Sequence, residues 1–215
     1  MRQLFLLAAI FFTITRLFGQ QTSKDCLSPT GPSLFGGKEY EEKVEEILIS
    51  ELSEFQILRY QQSETFWAIE LDTTDLKKPS FYFITHVSPS KSIWNSLPEI
   101  DNIEVNKITK QIRSEDYELI SNLFSSALGS VCANCQSFGF DGSTFHFSNI
   151  RITGKIWLAG PPTPNSKKER LVLICQEINK LVIDTKLTKI SIQEKLKNSM
   201  LGLTNDFQKQ NASIH

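Results

Sequence analysis

From Lys38 onward, Tyr40, Val44, Ile47 and Leu48 recur at the spacing of one helix face, predicting a helix that stops near Glu51. Phe55 to Gln61 and Thr65 to Leu71, rich in β-favouring Phe, Trp and Ile, predict a hairpin around Gln62-Ser63-Glu64. After a turn at Asp72 to Pro79, Ser80 to Val87 reads as a strong strand, ended by Ser88-Pro89-Ser90. Ile93 and Trp94 fall in a short covering turn, and Ile103, Val105, Ile108 and Ile112 outline a weaker strand. Ser114 then opens a helix with Glu115 and Asp116 in its first turn and Gly129 after its end. Its buried face should be Tyr117, Ile120, Phe124, Ala127 and Leu128. A second hairpin is expected from Phe138-Gly139-Phe140 and Thr144 to Phe147 around Asp141-Gly142, a dipeptide suited to tight turns of positive φ. Lys155 to Ala159 is a strand ended by Gly160-Pro161-Pro162. Ser166 with Glu169 forms a capping box for a helix whose core face is Leu171, Ile174, Cys175, Ile178 and Leu181. Ser191 with Glu194 starts a short final helix expected to stop by Gly202.

This order lacks regular β–α alternation. It predicts an α+β fold, mainly an antiparallel sheet with helices packed on one face. The predicted organisation is a signal peptide over 1–19, an extended lead-in over 20–37, a single domain over 38–203 and a frayed tail over 204–215. The leader rests on Arg2, the apolar run Leu4 to Phe12 and small Gly19 ahead of Gln20. The run is too short to span a bilayer, which takes roughly twenty residues. Asp25 and Ser23 replace the small residue and leucine of a lipidation box before Cys26. The expected destination is therefore periplasmic or extracellular, with no membrane span after the leader is removed.

The block Phe140 to Ser148, followed by Gly154-Lys155-Ile156-Trp157 and a Pro-rich turn into an amphipathic helix, resembles a segment of uncharacterised exported proteins of Bacteroidetes-type bacteria. The resemblance covers roughly the last third of the chain and implies a bacterial origin and one domain, with no activity attached.

Charge removes one class of partner. The chain has 23 basic and 24 acidic residues, and loss of Arg2 and Arg16 with the leader leaves a net charge of −3. Nucleic-acid affinity comes mainly from Lys and Arg on phosphate, so no nucleic-acid partner is expected. A protein, peptide or glycan partner is the remaining expectation, with the three tryptophans Trp67, Trp94 and Trp157 either filling the core or, at the loop residue Trp94, offering a binding surface.

Chemistry is concentrated in the cysteines. Four of them (Cys26, Cys132, Cys135 and Cys175) in an exported chain suggest disulfides. Cys132-Ala133-Asn134-Cys135 could be a redox pair, although thioredoxin-type sites place such a pair at a helix N-terminus and this one follows a helix. A structural clip or two thiols are the other readings. A Cys26–Cys175 link would close a long loop worth about 5 kcal/mol, against about 2 for the four-residue loop. Cys175 nevertheless lies on an apolar helix face, where a free thiol behaves as a small hydrophobe. Metal is not expected, because Cys26 and Cys175 do not form a second close pair, and no cofactor is implied. His146 shares the outer face of its strand with Thr144 and Ser148, a solvent or groove face that makes it, with Trp94, a candidate binding-surface residue, but no nucleophile elbow accompanies it. His86, in mid-strand, reads as structural. The leading expectation is a non-enzymatic binding or accessory domain, with a thiol–disulfide protein using Cys132 and Cys135 as the alternative.

Overall fold

A computed structural model describes residues 25–29, 38–49, 55–61, 67–73, 80–91, 93, 102–132, 135, 142–184 and 186–212. The predicted leader, Trp94, the strand at Phe138 to Phe140 and the turn at 62–64 lie outside the described residues.

Seven strands form one sheet in the order β1-β7-β6-β2-β3-β4-β5, each neighbour antiparallel to the next. They are β1 (Ser28–Pro29), β2 (Phe55–Gln61), β3 (Trp67–Thr73), β4 (Tyr82–Pro89), β5 (Val105–Ile112), β6 (Ser143–Asn149) and β7 (Thr153–Leu158). Among the described residues, the helices are α1 (Lys38–Leu48), α2 (Ser114–Leu128), α3 (Lys167–Asp184) and α4 (Glu194–Ala212). The α+β class and the mainly antiparallel sheet are as the sequence predicts.

Alternation along each strand divides the sheet into two faces. Phe55, Ile57, Trp67, Ile69, Leu71, Ile84, Phe145, Phe147 and Ile156 join the main core with residues of α2, α3 and α4. Aromatic rings knit this layer: Phe124 of α2 lies 6.3 Å from Phe55 and 6.2 Å from Phe147, and Trp67 meets Phe145 edge-on at 6.4 Å. These aromatics fill the core. The opposite face carries a smaller cluster in which Val44 and Leu48 of α1 pack on Ala68, Val87 and Ile93. Three helices thus share one face, while α1 stands on the other.

Strand β6 forms a hairpin with β7, and the expected partner at Phe138 to Phe140 lies outside the described residues. Asn149 makes that turn, since its Oδ1 accepts from the N–H groups of Arg151 (2.9 Å) and Ile152 (2.7 Å). Gly142 before β6 has φ 136°, and a Cβ there would come within 2.1 Å of the Leu158 carbonyl oxygen. Only glycine fits that approach.

One local expectation changes, at the C-terminus. Helix α4 passes through Gly202 and continues to Ala212, burying Leu203, Thr204 and Phe207. The tail from 204 is therefore not frayed over its described length. An interior glycine costs a helix only about 1 kcal/mol, and burial of Phe207 outweighs that.

Candidate functional site

The cysteines are brought together by the N-terminal segment and the turn after α2. Asp25 acts as a cap from a distance: its carboxylate accepts from the Lys167 N–H (2.7 Å) and Lys168 N–H (3.1 Å) at the start of α3. Carboxylates are favoured at that end by the unpaired amides and the helix dipole. Leu27 is fully buried, and β1 then pairs Ser28 with Lys155 and Pro29 with Gly154. A Cβ on Gly154 would meet Val131 Cγ2 at 2.7 Å and Leu27 Cδ2 at 3.1 Å. The missing side chain is what lets both segments lie close over β7. Between its cap and its strand, Cys26 has little choice of position.

On the other side, α2 ends at Leu128. The Ser130 hydroxyl and N–H both donate to the Ala127 carbonyl, and the Val131 N–H donates to Leu128. The Cys132 N–H then donates to the Leu27 carbonyl (3.2 Å), and the Cys135 N–H to the Cys132 carbonyl (3.0 Å). These bonds fold the motif back onto the N-terminal segment.

The result is a three-sulfur cluster. Cys26 and Cys135 stand at disulfide bonding distance with Cα atoms 6.1 Å apart, a usual separation for a bridged pair. Cys132 Sγ lies 3.0 Å from Cys26 Sγ and 2.9 Å from Cys135 Sγ. Cys26 and Cys135 are buried, whereas Cys132 is partly exposed. The considered Cys26–Cys175 link is thereby corrected. Cys175 is fully buried in the main core of α3, and burial pushes its thiol far above the ordinary range. Cys26, lone in sequence and for that reason not expected to ligate a metal, completes a group of three potential ligands with Cys132 and Cys135. Pairwise sequence spacing carried no signal for this; the only cue was a Cys flanked by a capping carboxylate and a short strand.

The other candidates lie apart in the fold. His146 points to the α1 face, with its Nδ1 3.4 Å from Glu45 Oε1. His86 lies on the main-core face, where Nδ1 is 2.7 Å from Asn179 Oδ1 of α3. A cavity of about 350 Å³ opens between the β6 start and the Pro161-Pro162 turn, lined by Phe145, Leu158 and Gln176 among others, with no titratable side chain among the described residues that line it. Among the described residues no helix is long and apolar enough to cross a membrane.

Comparisons with protein-family models, with curated proteins and with solved structures find no match.

Proposed function

We propose that this is an exported accessory protein that works by thiol–disulfide exchange, with Cys132 as the entry to a Cys26–Cys135 bond. The observation behind this reading is the exposure pattern of the three sulfurs: two buried, and a partly exposed third in contact with both. An external dithiol reaches the buried bond poorly, and exchange rates depend on which sulfur can be attacked. Cys132 supplies a relay. Its thiolate, turned onto the S–S axis, attacks Cys135 Sγ and expels the Cys26 thiolate, which takes up a proton. The new Cys132–Cys135 bond contains an accessible sulfur. One thiolate of the external dithiol attacks Cys132, Cys135 leaves as thiolate, and the second external thiol then frees Cys132. Two electrons have passed inward, and the dithiol has become a disulfide.

Cys132→Ser tests the relay. Reduction of the Cys26–Cys135 bond by a small dithiol should slow by at least about tenfold, since access to the attacked sulfur is lost. Disulfide mapping should show that the bond itself still forms. An unchanged rate in the variant removes the relay. In the wild type, a midpoint between about −120 and −270 mV places the bond among exchange proteins, whereas one below about −300 mV makes it structural.

A further inference from the structure

We propose that the reduced cluster of Cys26, Cys132 and Cys135 binds one monovalent copper ion as a three-coordinate thiolate centre. The three Sγ atoms all lie within 4.8 Å of one another. Their arrangement matters more than their number. Cys132 is almost equidistant from the other two sulfurs, at 3.0 and 2.9 Å. That places it beside the Cys26–Cys135 axis rather than along it. In-line displacement requires a turn of the Cys132 side chain, whereas in the reduced state an ion held between Cys26 and Cys135 is faced by Cys132 without that turn. Metal–sulfur bonds of about 2.3 Å around a trigonal centre set the sulfurs about 4 Å apart. Reduction must therefore let Cys26 and Cys135 part from bonding distance to about 4 Å, with Cys132 receding from each by about 1 Å, before the ion is seated.

The donor set selects the ion. Thiolates favour soft cations, monovalent copper and zinc among them. Zinc in closed sites takes four ligands, and among the described residues no histidine or carboxylate joins the three sulfurs. Monovalent copper is satisfied by three. The buried Cys26 and Cys135 form the floor of the site, and Cys132 marks its open side.

The balance is simple. An external dithiol gives two electrons and two protons to the Cys26–Cys135 bond and becomes a disulfide. The copper ion then displaces three protons from three thiols without changing its own charge. The centre needs the reduced state and does not rest on Cys132 acting as a relay.

The test is anaerobic titration of the dithiol-reduced, desalted protein with monovalent copper against a coloured copper chelator. The expected result is one copper retained per chain, with three sulfur neighbours by X-ray absorption. Cys132→Ser, which keeps both partners of the structural link, should lower the affinity by more than the ten- to hundredfold that loss of an outer-shell contact costs. Cys175→Ala should leave it unchanged. Full affinity in Cys132→Ser overturns the proposal, as does zinc bound in preference to copper with an oxygen or nitrogen neighbour. If the reduced chain unfolds, copper restoring its far-ultraviolet spectrum supports the centre, and failure to restore it overturns the centre. The two ideas separate: an unchanged reduction rate in Cys132→Ser removes the relay alone, and loss of copper binding in the wild type removes this centre alone.

Discussion

Two buried residues should set how the protein responds to acid. Asp116, in the first turn of α2, has no exposed side-chain surface, yet it keeps its charge through converging donors. Arg113 Nε donates at 3.1 Å, Lys197 Nζ of α4 at 3.0 Å and the Ile192 N–H at 3.2 Å. Burial alone would raise the Asp116 pKa, but the bonds from Arg113, Lys197 and Ile192 outweigh it and hold the carboxyl below its ordinary value. His86 is also depressed: burial lowers its pKa, and the Asn179 hydrogen bond only partly offsets this. Both folded-state values lie below the unfolded ones, so each group contributes stability at high pH that is lost as pH falls. The His86 loss begins below about pH 6.5 and the Asp116 loss below about pH 3.9. Urea melts from pH 8 to 3 should therefore show two successive declines. His86→Gln should flatten the first and Asp116→Asn the second. At pH 7 Asp116→Asn should also cost about 3 kcal/mol, the low end for breaking a buried pair, because Arg113 and Lys197 retain contact with water. A single decline insensitive to either change would refute this assignment.

At the scale of elements, α4 separates what periodicity reveals from what it hides. Its second half was lost to a sequence reading because Gly202 resembles a stop and the residues after it are mostly polar. Leu203 and Phe207 nevertheless fall four apart on one face, and that face packs on α2 and α3. Arg170 of α3 clasps Asp206 at 2.8 Å, and Asn211 donates to the Ser126 carbonyl of α2 at 3.0 Å. Phe207→Ala should cost about 3–5 kcal/mol in a denaturant melt. Ending the chain after Gly202 should cost at least as much, whereas a tail without contacts would be removed with no effect. Elsewhere the sequence was legible where one face is wet and the other dry. The buried face of α2 and the strands β2 to β4 follow directly from Tyr117, Ile120, Phe124 and the alternating apolar residues. The site was legible only in part. Cys132 and Cys135 stand out by spacing, but the partnership with Cys26 depends on Asp25 capping a helix 142 residues further on, and no local pattern announces that.

For the whole molecule, the N-terminal segment is the staple that holds the sheet edge, the turn after α2 and the start of α3 together. The Cys26–Cys135 link closes a sequence separation of 109 residues, worth about 5 kcal/mol by the chain-entropy model. That is a large share of the 5–15 kcal/mol that stabilises a typical domain. Noncovalent ties remain without it, chiefly the Asp25 cap at about 1 kcal/mol and the two-residue pairing of β1 with β7. Cys26→Ser should weaken the fold by less than the full loop term, because a second bond can take the place of the first. The substitution leaves Cys132 and Cys135 2.9 Å apart and able to bond each other, closing a four-residue loop worth about 2 kcal/mol. The expected loss is about 3 kcal/mol for the single variant under oxidising conditions, rising to about 5 for Cys26→Ser with Cys132→Ser or for the reduced wild type. Denaturant melts of the four samples, with disulfides mapped in each, measure the series. Equal midpoints for oxidised and reduced wild type would mean that the Cys26–Cys135 link does not staple the fold. The graded series would place the mechanical and chemical roles of the N-terminal segment in one residue, Cys26.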